Sequence, residues 1–272
     1  SYHAGRPLGS STRGKTAPGR LRQVDAFCAL YAADLLRRPH PTDRRPCFVD
    51  LGFGEAPWTT LASAEVFRRL APGLRVLGLE IDRARVAAAA PFADADTCFR
   101  LGGFDLGLGL DDLGRREEAR LLRAFNVLRQ YQPEAVVPAL VAMGRGLEQE
   151  GLLIEGSSDP QGQLWSAHLW RRKGADRHHE ALVFGLRGAA RARAMELPSI
   201  LPKDLIHRMG TDSPVTRFFA AWRLTWQETA GEAVWGPGQR LGLAVDARAR
   251  WLSRGLVLWQ GDCGLPDLTL CT

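Results

Sequence analysis

No run of eighteen or more apolar residues occurs in the sequence, so a membrane-spanning helix is not expected. Ser1 to Arg13 lacks the apolar segment of a secretory leader, and the expected location is the cytoplasm. Cysteine is sparse and unpatterned. Cys28, Cys47, Cys98, Cys263 and Cys271 form no CxxC pair, and none stands near a histidine at zinc-ligand spacing. A disulfide framework and a zinc centre are therefore not expected, no metal is assigned, and the thiols read as small buried hydrophobes. Lysine is nearly missing, with only Lys15, Lys173 and Lys203. No internal repeat or heptad pattern is visible.

What is present is the composition of an ordinary globular protein: 272 residues, 45% hydrophobic and 24% charged. That length suits one α/β domain with added elements. The net charge of +6 is local. Up to Arg45, nine basic residues stand against Asp25, Asp34 and Asp43, which accounts for the whole excess. A basic arm is one signature of contact with a polyanion. The other reading, which the near-absence of lysine favours, is an arginine-rich composition with no such meaning.

Ser1 to Gly19 is rich in Gly, Ser, Pro and Arg without periodicity, and reads as a flexible or loosely docked arm. Leu21 to Leu36 carries apolar residues at helical spacing up to Arg37-Arg38-Pro39. Cys47 to Leu51 reads as a buried strand stopped by Gly52-Phe53-Gly54, and a helix follows from Pro57. Arg75 to Glu80 is a second strand and Arg83 to Ala90 a second helix; Cys98 to Leu106 fits a third strand with its exit loop. Glu117 to Val127 is ambiguous between helix and strand. Glu134 to Gln149 predicts an amphipathic helix running into the strand Gly151 to Gly156. The alternation predicts an α/β fold: a doubly wound, mostly parallel sheet with helices on both faces. Beyond Asp159, Leu164 to Arg172 and Ala181 to Leu186 predict an antiparallel hairpin on the C-terminal side. Helices are expected over Lys203 to Arg208, Val215 to Thr229 and Gly238 to Arg254, with a last strand at Leu256 to Trp259.

The chemistry-bearing motif is Asp50-Leu51-Gly52-Phe53-Gly54-Glu55-Ala56, set between a strand and a helix. Gly52 and Gly54 permit a sharp turn and close approach of a ligand to bare backbone. Such a unit alone is a weak signal. It gains weight from the second strand, which ends at Glu80 with Asp82 just beyond. A carboxylate there is placed to accept both ribose hydroxyls of an adenosine.

These residues resemble the class I S-adenosylmethionine-dependent methyltransferases. Phe48 to Gly54 is similar to the family's acidic–x–Gly–x–Gly signature, and Val76 to Asp82 to the acidic strand end that follows. Leu122 to Leu128 resembles the fourth strand and decides the ambiguous segment as strand; Gly151 to Gly156 resembles the fifth. The resemblance covers about residues 45–160. It implies S-adenosyl-L-methionine as cofactor in a Rossmann-like core over residues 46–160, preceded by a basic arm and helix (1–45) and followed by hairpin and substrate or lid elements (161–272). It further implies that Gly52, Phe53 and Gly54 hold the methionine part, that Asp50 steadies the loop or meets the amino group, and that Glu80 with Ile81 serves the ribose. Asp105 falls where the family often has an acid near the adenine amine, with Asp111 and Asp112 close by. Asn126 falls at the mouth of the fourth strand, facing the transferred methyl. Ala56 replaces the third glycine of the extended signature. The Asn/Asp-Pro-Pro-aromatic tetrad and the Pro-Cys pair of nucleic-acid base methylation are missing.

No catalytic residue is assigned. His168, His178, His179 and His207 lie beyond the cofactor half, where a general base would stand, and an idle histidine is the commoner case. Phe218, Trp222 and Trp226 share a helix face, more simply as core than as a lid. Gly14-Lys15-Thr16 lacks the rest of a phosphate loop. The favoured function is methyl transfer to a small molecule. The alternatives are RNA methylation using the basic arm, a non-catalytic S-adenosylmethionine-binding protein and, at the margin, a nicotinamide enzyme. Oligomeric state is left open.

Overall fold

The computed structural model describes residues 7–187, 195–229, 249–252, 256–261 and 263, with backbone alone for 225–229 and 249–252. In chain order the elements are α1 (Arg22–Tyr31), α2 (Ala33–Arg37), β1 (Arg44–Leu51), α3 (Trp58–Arg68), β2 (Arg75–Glu80), α4 (Arg83–Ala89) and β3 (Thr97–Leu101). There follow β4 (Arg116–Phe125), α5 (Val136–Arg145), β5 (Leu147–Ser158), β6 (Leu164–Lys173), β7 (Asp176–Leu186), α6 (Lys203–Ile206), α7 (Pro214–Thr229), β8 (Ala249–Leu252) and β9 (Leu256–Trp259). All nine strands form one sheet, ordered β3-β2-β1-β4-β5-β6-β7-β9-β8. β3, β2, β1, β4 and β5 pair in parallel; every pairing from β5 to β8 is antiparallel. The expected α/β class and C-terminal hairpin are both present, and β8 and β9 enlarge the antiparallel half.

β1 and β2 read as near-continuous apolar runs because both faces of a parallel strand are covered. On one face, α1 and α3 pack Val24, Phe27, Ala64 and Phe67 onto Phe48, Val76, Leu121 and Trp165. On the other, α5 packs Val136, Leu140 and Met143 onto Val49, Leu77, Leu122 and Leu153. Further along, α7 sets Val215, Phe218 and Trp222 against Leu182, Phe184 and Trp259. Phe218 and Trp222 are thus core residues; the Trp226 side chain lies outside the described residues.

Four expected elements change. The helix over Leu21 to Leu36 is two, divided at Ala32. The helix over Glu134 to Gln149 shrinks to α5 after a 3-10 turn at Pro133–Ala135, and Leu147 already begins β5. Lys203 to Arg208 is helical only to Ile206. Of the helix expected over Gly238 to Arg254, residues 238–248 and 253–254 lie outside the described residues. Ala249–Leu252 is instead a strand paired with β9.

β4 carries Arg123 into the interior at 1% exposure. Its Nε and Nη2 donate to the two oxygens of Asp50 at 3.0 and 2.8 Å, and Nη1 donates to Asp25 Oδ1 at 2.5 Å and to Ser63 Oγ at 2.7 Å. Thr60 Oγ1 donates to Asp50 Oδ2 at 2.6 Å, and the guanidinium lies over the Phe48 ring. One cation thereby joins α1, β1, α3 and β4. Charges taken out of water survive only when paired and hydrogen-bonded to this degree. Arg123→Leu, which strands two carboxylates, should cost about 3–5 kcal/mol of unfolding free energy, read as a lower urea midpoint.

The same cluster has a pH signature. Burial outweighs Arg123 at Asp25 and raises its carboxyl from 3.8 to about 6. A raised acid holds its proton more tightly when folded. Its stabilising contribution is complete below the unfolded value and is lost as pH rises through about 6. Asp25→Asn should therefore gain on the natural protein in melting temperature as pH rises through this window. A flat difference would mean that Arg123 compensates the ionised carboxylate in full.

Candidate functional site

The parallel strands deliver their C-terminal ends to one edge of the sheet, where ligands of open α/β sheets bind. β1 ends in the turn Gly52-Phe53-Gly54, with φ of +75° at Gly52 and +86° at Gly54. A β-carbon on Gly52 would stand 2.6 Å from Val127 Cγ2, and one on Gly54 2.4 Å from the Gly14 carbonyl oxygen. Both glycines are required by conformation and by space.

β4 ends at Phe125 and is followed by Asn126, whose φ of +60° suits asparagine among the non-glycine residues. Asn126 Oδ1 accepts from the Ser158 amide at 2.9 Å, and Nδ2 donates to Ser158 Oγ at 3.2 Å. The ends of β4 and β5 are thus pinned side by side. Arg20 adds a second clamp: Nε donates to Ser158 Oγ at 3.0 Å and to the Asp159 carbonyl at 3.1 Å, and Nη2 donates to the Ser158 carbonyl at 3.1 Å. Burial lowers the Arg20 pKa, with Asp159 opposing and Arg129 reinforcing the shift. Between these groups lies a cavity of about 770 Å³.

Of the residues expected from sequence, Asp50, Gly52, Phe53, Gly54 and Asn126 line this cavity. Asp50 does so with both oxygens already engaged by Arg123 and Thr60. Glu80, Ile81 and Asp105 are not part of its wall. Glu80 is buried at the end of β2, where Oε2 accepts from the Gly54 amide at 3.0 Å and Oε1 from Ile81 and Asp82 amides at 2.9 and 3.3 Å. Asp82 caps α4 through the Ala84 and Arg85 amides.

What separates Glu80, Ile81 and Asp105 from the cavity is the N-terminal arm. Leu8 accepts from the Phe104 amide at 2.9 Å and donates to Asp105 Oδ1 at 3.3 Å. Ser10 exchanges two hydrogen bonds with the Tyr131 hydroxyl, both 2.7 Å. Arg85 Nη2 donates to the Thr12 carbonyl, the Arg13 amide donates to Gln130 Oε1, and the Glu55 amide donates to the Gly14 carbonyl. Residues 8–14 therefore cross the ends of the strands as an ordered strap. Arg13 and Lys15 keep exposed side chains at the cavity, beside exposed Arg129.

Sequence reasoning, which placed Arg20 within reach of the cleft with the other cations of the arm, missed Arg129 and Ser158. The polar run Ser157-Ser158-Asp159 closing an apolar strand was the available signal for Ser158; nothing local marks Arg129. None of His168, His178, His179 and His207 lines the cavity. His178 and His207 are exposed. His168 and His179 lie in a buried polar cluster elsewhere, where burial lowers the His179 pKa to about 3.

No protein-family model and no curated protein matches the chain. Among solved structures it is similar to the citrinin polyketide synthase CMeT domain, with TM-score 0.39, 15% identity and coverage of 52% of this chain and 36% of that one. It is similar to the plantazolicin methyltransferase BamL, crystallised with a desmethyl analogue and SAH, at TM-score 0.36, 9% identity and coverage of 52% and 46%. The magnesium protoporphyrin IX methyltransferase ChlM from Synechocystis PCC 6803, with bound SAH, gives TM-score 0.36, 18% identity and coverage of 52% and 56%. The chain spans about a third to just over half the length of these proteins.

The contact between Gly54 and Gly14 is directly testable. Gly54→Val imposes a left-handed branched residue, costing of order 1–3 kcal/mol, and drives carbon into the Gly14 carbonyl. The arm should open, and tryptic cleavage at Arg13 and Lys15 should accelerate about tenfold or more. Unchanged protection would show that the strap is seated by other contacts.

Proposed function

We propose that this chain transfers a methyl group from S-adenosyl-L-methionine to a small-molecule acceptor. The observation that carries the reading is the Gly52-Phe53-Gly54 turn, held by Glu80 and opening on a cavity that reaches Asn126 and Ser158. A cavity of about 770 Å³ lies within the usual range of small-molecule sites, roughly 300–1,000 Å³.

The residues suit the cofactor. Gly52 and Gly54 present bare backbone at the cavity wall as a cradle for the methionine part, and Asp50, fixed by Arg123, holds that turn still. Glu80 accepts from three backbone amides and faces Arg85 Nη1 at 3.7 Å; a carboxylate has about four lone-pair sites, so one hydrogen-bonding position is left for a ribose hydroxyl. Asp105, Ile81 and residues 8–12 then form the adenosine side, with the arm as its cover. The bound cofactor supplies a sulfonium methyl open to in-line displacement. The chain's own task is to align the acceptor and exclude water. Asn126, locked by Ser158, is the positioned polar group at the end of β4. In this reading residues 46–160 bind the cofactor, 161–272 complete the sheet and acceptor wall, and 1–45 supply the cover. Among the described residues no helix is long and apolar enough to cross a membrane. The assigned compartment is the cytoplasm.

One observation favours a second reading, RNA methylation: Arg13, Lys15 and Arg129 stand exposed around the cavity. Against it, no aromatic residue interleaves the arm's cations for base stacking. The two readings separate on deletion of residues 1–19. If the arm is a cofactor cover, S-adenosylmethionine affinity falls and there is no salt-dependent RNA affinity to lose. If it binds RNA, the intact protein shows a salt slope of roughly −0.7 per single-strand phosphate contact, lost on truncation.

Calorimetry with the full chain should show one site for S-adenosylmethionine and its demethylated product. Glu80→Ala frees the Gly54 amide and the ribose position, removing charge-assisted hydrogen bonds of about 1.5–3 kcal/mol each. Affinity should drop about tenfold or more. No binding by the unaltered protein would overturn the assignment.

A further inference from the structure

Between the α5 core and the α7 core, on the same face of the sheet, lies a polar cluster that the cavity does not use. Glu155 of β5 is directly paired with His168 of β6, and Asp204 of α6 covers both. Glu155 and His168 are each 0% exposed, and the Asp204 side chain is 12% exposed. One donor atom from each of the three residues lies within 4.8 Å of the others. His168 Nε2 is 3.0 Å from Asp204 Oδ1, and His168 Nδ1 is 2.9 Å from His179 Nε2.

The anomaly is Glu155. Neither of its carboxylate oxygens has a hydrogen-bond partner, although the side chain is wholly buried and the neighbouring group is a second carboxylate. Among the described residues no basic side chain pairs with it. Arg208 acts on Asp204 only as the last of several influences, behind His168. Buried carboxylates are ordinarily paired, hydrogen-bonded or bound to a metal.

We propose that Glu155, His168 and Asp204 form a binding site for a divalent transition-metal ion. A doubly charged cation compensates both carboxylates and takes up the unpartnered oxygens. One imidazole with two carboxylates is a mixed nitrogen–oxygen set that suits Zn²⁺ or Mn²⁺ better than the all-oxygen preference of Ca²⁺ or Mg²⁺. Around a tetrahedral ion with ligands at about 2.0–2.2 Å, donor atoms stand roughly 3.3 Å apart. The His168–Asp204 pair is near that spacing, and rotation of Glu155 closes the third side. His179 is the outer partner: accepting a hydrogen bond from His168 Nδ1–H, it fixes the tautomer that leaves the His168 Nε2 lone pair for the ion. The ligands come from β5, β6 and α6, so the ion fastens α6 to the sheet. The segment just before α6 contributes Glu196, Ser199 and Ile200 to the cavity wall, and Ser166 Oγ donates to the Ile200 carbonyl at 2.7 Å. The site is therefore a staple for that wall, independent of what the cavity binds.

The test uses the intact chain. Plasma mass spectrometry of protein purified without affinity metal should find about one equivalent of Zn²⁺ or Mn²⁺ per chain. Chelator-stripped protein should regain melting temperature on addition of ZnCl₂ or MnCl₂. Glu155→Gln and Asp204→Asn should each weaken the ion about a hundredfold or more, and His179→Phe about 10–100-fold. Glu155→Gln is the decisive variant, because it keeps the shape of the buried group. A metal-dependent rise in melting temperature for the natural protein, absent in Glu155→Gln, supports the site. Overturning results would be equal responses of the two proteins to both ions, or no metal and no response in either.

Discussion

The cavity and its glycine turn depend on the buried guanidinium of Arg123. Asp50 opens the glycine motif, where the family resemblance gives it one of two roles, steadying the loop or meeting the cofactor's amino group. In the structure both its oxygens turn inward, one to Nε and both Thr60 and Nη2 to the other. The turn residue is thereby welded to β4, and through Asp25 and Ser63 to α1 and α3. A ligand-binding turn must present backbone amides without reorganising, and a buried ion network that cannot be partly broken supplies that rigidity. The cost is the desolvation of three charged groups. It is borne directly beneath the edge of the sheet where the cavity lies.

The parallel half of the sheet was legible wherever burial on both faces produced an uninterrupted apolar run. β2 has the bounds read from sequence, Arg75 to Glu80. β4 was ambiguous because Glu117, Arg120 and Arg123 interrupt it, and all three are buried. Their compensation is tertiary. Arg100 forks onto Glu117, and Arg120 joins Glu148 and the carbonyls of Leu36 and Arg38. No local pattern contains that information. Likewise, α5 ends at Arg145, and in its last turn and at the cap the Arg177 and Leu106 side chains occupy the space that β-carbons on Gly144 and Gly146 would need. That close approach cannot be seen from periodicity.

The site divides in the same manner. Gly52 and Gly54 were legible because each meets a backbone demand, a positive φ at a strand end; Asn126, which shares that conformation, came from the family resemblance. Glu80 and Asp105 were legible as chemical types, but what separates them from the cavity is the strap of residues 8–14, roughly seventy positions from Glu80 and more than ninety from Asp105 along the chain. His168 was weighed singly as a general base. Its partners Glu155 and Asp204 lie 13 and 36 residues off along the chain, on a different strand and a helix. Ligand spacing in sequence identifies sites built on one local motif, and this cluster is assembled by the pairing of β5 with β6 and by α6 packing over them.

The arm shows why a low-complexity stretch can be ordered. Its composition of Gly, Ser, Thr, Pro and Arg offers no apolar face to bury, which in isolation means flexibility. Yet the contacts that seat it run through its own main chain: the amide and carbonyl of Leu8 and of Ser10, the carbonyls of Thr12 and Gly14, and the amide of Arg13. A segment held by its backbone needs no particular side chains, only the ability to follow the rim, and small residues provide it. Each bond is a net gain of about 0.5–1.5 kcal/mol against an ordering cost of about 1–2 kcal/mol per residue. The two terms are of similar size, so the main-chain bonds are what hold the strap down. In the proposed function the strap covers the adenosine side, and its exposed cations Arg13 and Lys15 stand at the mouth of the cavity.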